Sequence, residues 1–177
     1  MSKFIIIVEN GYEDSELIYP YYRLKEIDGV EVIIASSSGD QLQGKHGSHS
    51  LKPDITIDQL KNLNDYISGV LIPGGFESPE KMRNNPLVLD FIRNLHKEGK
   101  LISAICHGVW VLISANIING VNATCYPGMK DDVINAGGNY SDRPVIVDGN
   151  IVTGRRPRDL SFFMKEVISA IELGKNK

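Results

Sequence analysis

At 177 residues the chain is long enough for one domain, 1–177, with a full core and no disulfide staples. Apolar content of 42% and charged content of 23% are those of a soluble globular protein, and a net charge of −3 without a long basic run argues against nucleic-acid binding. Two cysteines without a C-x-x-C exclude a disulfide framework and point to a reducing compartment.

Phe4–Val8 reads as a buried strand, too short for a signal-peptide core and followed at once by acidic Glu9. No stretch approaches the roughly 18 apolar residues of a membrane span, so the expected location is the cytoplasm, with no membrane partner. Ser15–Ile27 reads as a helix in which Pro20 should kink the axis or tighten the first turn, and Val30–Ala35 as a strand. Gln41–Ile57 alternates weakly among glycines and is expected to form a small strand pair on a sheet edge. His46 and His49 have H-x-x-H spacing but no further ligand motif, so no metal is expected.

Gly69–Ile72 is another strand, ended by Pro73-Gly74-Gly75. Pro86–Glu98 has helical spacing through Leu87, Phe91 and Leu95 and stops at Gly99. A short strand near Asn122–Cys125 and a helix over Lys130–Ala136 follow. Pro144–Val147 and Ile151–Thr153 flank Asp148-Gly149 as a hairpin, and Leu160–Leu173 closes the chain as a helix. Alternating strands and helices imply an α/β sandwich with a mostly parallel sheet.

Ala104-Ile105-Cys106-His107-Gly108 carries the most chemistry. An apolar strand, Leu101–Ile105, abuts an apolar helix, Val109–Ile113, with Cys106 on the turn between them. Small residues two positions either side are what a nucleophile elbow needs, because its backbone passes close to neighbours there. A thiol at a helix N-terminus is favoured as thiolate, and its pKa is expected at least about two units below the free value of roughly 8.5. Cys125 lacks such flanks and reads as structural.

Ligands in such sheets gather beyond the C-terminal strand ends. Those ends deliver Glu9–Asp14, Gly74-Gly75, Glu77 and Glu80, Cys106-His107 and Cys125–Gly128 to one edge. Gly74-Gly75 is either a plain turn or half of an oxyanion hole formed by the Gly75 and His107 amides. Glu13 and Asp14 are either first-turn acids or a carboxyl beside the thiol, and Glu80 by itself reads as a solvated helix face. A flavin or phosphate module is disfavoured, because the acidic stretch after the first strand would repel phosphate.

In these motifs the chain resembles the ThiJ/PfpI superfamily and, within it, the PfpI intracellular-protease branch. The match runs through Gly11-Tyr12-Glu13-Asp14-Ser15-Glu16-Leu17, Gly44-Lys45-His46-Gly47, Pro73-Gly74-Gly75, Ala104–Gly108, Tyr126-Pro127-Gly128 and Arg155–Leu160. The resemblance implies a flavodoxin-like three-layer α/β/α sandwich with Cys106 as nucleophile and no cofactor. It implies Glu13 against the sulfur, His107 as base, and Glu80 of a neighbouring subunit as the acid that orients His107. Gly74, Tyr126 and Arg155 are the implied substrate-binding residues. The implied assembly is a homodimer or larger homo-oligomer with a shared active site. Implied reactions run on small carbonyl compounds or peptides: glutathione-independent glyoxalase or deglycase chemistry, or cysteine peptidase activity. The rival is an oxidation sensor or stress chaperone that uses Cys106 without turnover. Val109 stands where many relatives carry proline, which would only preset the first helical turn.

Overall fold

A computed structural model describes residues 1–47, 51–63 and 67–175. Its chain order is β1 (Ser2–Ile7), α1 (Asp14–Lys25), β2 (Val30–Ser36), β3 (Ile55–Thr56), β4 (Ile67–Ile72), α2 (Glu77–Arg83), α3 (Pro86–Lys97) and β5 (Leu101–Ile105). There follow α4 (Val109–Ser114), β6 (Asn122–Ala123), α5 (Lys130–Asn135), β7 (Asn139–Tyr140), β8 (Val145–Asp148), β9 (Ile151–Gly154) and α6 (Leu160–Lys175).

Seven strands form the central sheet in the order β3-β2-β1-β4-β5-β9-β8, parallel except for the β8–β9 hairpin. Both faces are covered, which is why the strands read as unbroken apolar runs. Phe4, Ile6 and Val8 pack with Leu71, Ile105 and Val152 under Leu17 and Leu24 of α1 and Phe163 and Val167 of α6. Ile5 and Ile7 face the other way, packing with Val70, Ile72 and Ile102 beneath Met82, Val88, Ile92 and Val111 from α2, α3 and α4. Phe4 through Val8 have no exposed surface. Complete burial of each such side chain contributes about 1.5–3 kcal/mol.

Local signals explain the boundaries. Asn85 caps α3 by accepting from the Leu87 amide at 3.0 Å, Pro86 opens the helix, and Gly99 follows its end at φ +66°. α1 runs through Pro20 without interruption. The hairpin closes over Gly149 and Asn150, with Asp148 opposite Ile151.

Two expectations are corrected. The Gln41–Ile57 region forms no strand pair among its described residues: it supplies the two-residue β3, parallel to β2, and a single bridge from Gly44 to Tyr12. Asp54 carboxylate and amide occupy the Ile34 amide and carbonyl at 2.8 and 2.9 Å, and Pro53 has no N–H to extend a ladder. β6 lies outside the central sheet and pairs in parallel with β7.

From β1 the chain first builds β2 and β3 on one side, then crosses to β4 and β5 on the other. The strand order therefore reverses beside β1, and the crevice opens beyond the C-terminal ends of β1 and β4. Among the described residues no helix is long and apolar enough to cross a membrane.

Candidate active site

β5 ends at Ile105, and Cys106 turns the chain at φ +58° into a short 3₁₀ turn that leads to α4. A non-glycine residue in the left-handed region is strained, and such strain concentrates at functional positions. Gly108 permits the turn, since a Cβ there would lie 2.5 Å from the Ile72 carbonyl oxygen.

Cys106 is 6% exposed, and its Sγ lies 3.3 Å from Nδ1 of His107. The His107 backbone N–H also donates to this sulfur. Burial and the nearby Lys45 ammonium hold the His107 imidazole below its usual pKa, so the ring is neutral at pH 7 and able to accept a proton.

The carboxyl at the sulfur is Glu16, not Glu13. Glu16 is fully buried in the first turn of α1, accepts from the Gly74 amide at 2.7 Å through Oε2 and hydrogen-bonds to Cys106. Its Oε1 is buried without a hydrogen-bond partner among the described residues. Burial of the charged form, partly offset by the Gly74 amide, pushes the Glu16 pKa up to about 8. Glu16 therefore carries its proton at neutral pH.

Glu13 sits three residues earlier at the rim. It pairs with Lys45 at 2.5 Å, lies 3.5 Å from Nε2 of His46 and takes a hydrogen bond from Ser15 Oγ at 3.3 Å. The reason for the exchange is helical phase. Glu16 precedes Leu17 and falls four and eight residues before Pro20 and Leu24, the buried stripe of α1, while Glu13 is the extended residue before the helix.

The thiol also departs from expectation. Burial pushes its pKa up, and the charge of Glu16 pushes it further when present, outweighing the His107 amide and the Lys45 ammonium. The short turn places sulfur at a helix end, but it also sinks it among Val8, Tyr12, Leu17 and Ile105. Cys106 and Glu16 thus form one coupled pair of acids, and the pair gives up its protons in shared steps.

Gly74 and Gly75 are required by close approach. A Cβ on Gly74 would press on the Glu16 carboxyl and lie 2.8 Å from the Cys106 Cβ. Gly75 takes φ +90°, and a Cβ there would meet the Gly11 carbonyl at 2.5 Å. The Gly74 amide is committed to Glu16, whereas no described residue engages the Gly75 amide.

Tyr126 stacks on the His107 ring with centroids 4.7 Å apart and planes at 24°. Trp110 and Phe76 meet the same ring edge-on at 5.0 and 5.9 Å. Asp132 accepts from Trp110 Nε1 at 2.9 Å and Arg83 lies over the Trp110 ring, which fixes this wall. The Nε2 of His107 has no hydrogen-bond partner among the described residues.

Arg155, an implied substrate-binding residue, is held in ion pairs. Its Nε and terminal nitrogens are taken by Asp159 and Asp142 at 2.8 to 3.2 Å, and only 12% of the side chain is exposed. Glu80 lies exposed on α2 and makes no described contact with His107 in its own chain. Cys125 is buried, with its pKa raised to about 12 by burial, and hydrogen-bonds to the Tyr126 carbonyl. His46 stands at the Glu13 rim, His49 lies outside the described residues, and no metal-binding group of three or more His, Cys, Asp or Glu occurs among the described ones.

Glu16 and Lys45 are the site residues that motif reading did not assign. The four-residue spacing of Glu16, Pro20 and Leu24 marks Glu16 as inward-facing, and the glycines flanking Lys45-His46 mark a close backbone approach.

Residues 2–170 match the model of the DJ-1/PfpI family. A deglycase of Pyrococcus horikoshii is 44% identical over 170 residues, covering 96% of this chain and 99% of that protein. Among solved structures, Drosophila melanogaster DJ-1beta superposes with a TM-score of 0.87 at 30% identity, over 98% of this chain and 91% of that one. A two-domain protein of Anabaena variabilis with DJ-1/ThiJ/PfpI-like and ferritin-like domains gives a TM-score of 0.90 at 36% identity; the match covers 98% of this chain but 48% of that longer protein. The chain belongs to the DJ-1/PfpI family.

Proposed function

We propose that this protein is a cysteine-dependent enzyme acting on small carbonyl or acyl compounds, with Cys106 as nucleophile and His107 as its base. The observation that carries the reading is the thiol on a strained turn, 3.3 Å from a neutral imidazole and in contact with a carboxyl that holds its proton at neutral pH. A close relative named as a deglycase supports chemistry on carbonyl adducts.

In this reading Sγ attacks an aldehyde carbon while the thiol proton passes to Nδ1 of His107. The new S–C bond leaves an oxyanion, for which the Gly75 amide, engaged by no described residue, and the His107 amide are the proposed donors. Return of the proton from the imidazolium gives a hemithioacetal. With an α-oxoaldehyde, protonated Glu16 gives its proton to the ketone oxygen and the carboxylate so formed takes the C1 proton, giving an enediol; return of that proton to C2, as the C1 hydroxyl gives its proton back to Glu16, converts the hemithioacetal to a thioester. Water then releases a 2-hydroxy acid and restores the thiol, with no external oxidant or reductant.

The unoccupied Nε2 of His107 supports a site shared between two copies of the chain, in which Glu80 of one orients the imidazole of the other. The solvent-exposed position of Glu80 on α2 leaves it available to a partner. A second reading, an oxidation sensor, is favoured by the same Glu16, since a protonated carboxyl beside sulfur can donate to a sulfinate oxygen.

Turnover of methylglyoxal, a glycated amino acid and a fluorogenic peptide by one preparation tests the proposal. Activity on the first two that vanishes in Cys106→Ala is expected. Turnover unchanged by Cys106→Ala, or none on any substrate, would overturn it, and peroxide-driven formation of a stable sulfinate without turnover would favour the sensor.

A further inference from the structure

Lys45 is ion-paired at 2.5 Å to Glu13, whose own amide donates at 3.1 Å to the carbonyl of Gly74, the glycine packed against Cys106. The segment that carries Lys45 is fixed to the start of α1 by main-chain and side-chain bonds. Gly11 donates to the Gln43 carbonyl at 2.8 Å, the Lys45 amide to the Tyr12 carbonyl at 2.9 Å, and the His46 amide to Asp14 at 2.9 Å. Asp14 is 5% exposed, and a Cβ on Gly44 would lie 2.5 Å from its carboxyl carbon. Three anchors over four residues are more than a solvated lysine needs. They hold its ammonium where its charge is felt at Cys106, Glu16 and His107.

The Glu13 side chain in this pair is 11% exposed. The two charges act on the sulfur with opposite sign, since an ammonium favours a thiolate and a carboxylate opposes it. We propose that the Lys45–Glu13 ion pair is the charge balance that sets the reactivity of Cys106, Lys45 promoting the anionic sulfur and Glu13 restraining it. Lys45 and Glu13 are positioning residues in this scheme. Neither needs to touch substrate. The other ionisable groups facing the sulfur are Glu16 and His107; His46 adjoins Glu13, Asp14 holds the loop from below, and Asp132 acts on His107 from α5. The proposal rests on Cys106 being the reactive thiol, as proposed above, but not on any particular substrate.

The test is the pH profile of Cys106 alkylation by neutral iodoacetamide, read by peptide mass, with Cys106→Ser as blank. Lys45→Met is expected to move the profile to higher pH by about one unit, slowing alkylation about tenfold at pH 7. Glu13→Gln should move it the other way by a similar amount. The double variant should return close to wild type, and Lys45→Arg should stay there. Anionic iodoacetate should lose more rate than iodoacetamide in Lys45→Met, because it senses the lost charge directly. Profiles unmoved by both single substitutions, or moved in the same direction, would overturn the proposal. Shifted profiles in a protein that turns over no carbonyl would leave this charge balance standing and remove the enzymatic reading. Turnover lost in Cys106→Ala with unmoved profiles would do the reverse.

Discussion

Glu16 of α1 and Cys106 at the end of β5 meet inside the protein as one hydrogen-bonded acid pair, and the Gly74 amide donates to the Glu16 carboxyl at 2.7 Å. Neither group has room for an independent ionisation. The carboxyl is fully buried and one of its oxygens has no described partner, so ionising it costs desolvation that a single amide offsets only in part.

The pair predicts a pH dependence of stability. Glu16 titrates near 8 in the folded chain against an ordinary 4.5, so the folded state holds this proton more tightly than the unfolded one. Its contribution is fully present below about 4.5, declines as pH rises toward about 8, and is constant above. Each pH unit between those two values changes the folding free energy by about 1.4 kcal/mol. Denaturant unfolding of wild type should therefore lose up to a few kcal/mol between pH 5 and 8 relative to Glu16→Gln. Parallel curves for the two proteins would contradict the buried, protonated carboxyl. The same variant should lower turnover roughly a hundredfold, because an amide cannot pass a proton.

Gly74→Ala should separate the fit of the pair from its chemistry. The new methyl would press on the Glu16 carboxyl and lie 2.8 Å from the Cys106 Cβ, whereas an added Cβ at Gly39 meets nothing within 4 Å. Overpacking of this kind costs about 1–3 kcal/mol. Thermal unfolding is expected to shift down in Gly74→Ala and to stay in place in Gly39→Ala, with activity lost only in the former. Equal behaviour of the two variants would show that the close approach is not needed.

The aromatic stack predicts a third outcome. Tyr126 lies on the face of His107 with ring centroids 4.7 Å apart, a contact worth about 0.5–1.5 kcal/mol beyond burial. Tyr126→Phe keeps the ring and should retain kcat, while Tyr126→Ala frees the imidazole and should lower kcat by up to about tenfold. A loss in the phenylalanine variant as large as in alanine would assign the role to the hydroxyl instead.

The legible parts of this chain were those with a local signature. Leu101–Ile105 running straight into Val109–Ile113 located Cys106 on its turn, and the buried strands read as apolar runs because both sheet faces are covered. Glu13 and Glu16 look alike as first-turn acids, and only phase against Leu17, Pro20 and Leu24 tells which faces inward. Arg155 reads as a free cation because Asp142, thirteen residues away, joins Asp159 around it only after folding. The bounds of α2 around Glu80 carry no local signature, because the helix is seven residues long with a proline in its first turn. The flanking glycines mark the Lys45 loop as a close approach, but what it approaches is set by long-range bonds to Tyr12 and Asp14 that no local pattern shows.

The shared-site reading makes the last prediction. His107 is held on three sides by Phe76, Trp110 and Tyr126, yet these rings supply no acceptor for Nε2. A carboxylate there would fix the tautomer with Nδ1 free to take the thiol proton and would stabilise the resulting imidazolium. Glu80 is exposed and makes no contact with His107 of its own chain, so subunit mixing is the decisive measurement. Cys106→Ala and Glu80→Gln proteins should each be nearly inactive alone, and both should fold with wild-type thermal stability. After subunit exchange, followed by mass spectrometry of the mixed assemblies, part of the activity should return. Each restored site would combine Cys106 of one chain with Glu80 of another. Exchange without recovery would return Glu80 to the solvated face of α2 and leave His107 to be oriented by its aromatic neighbours alone.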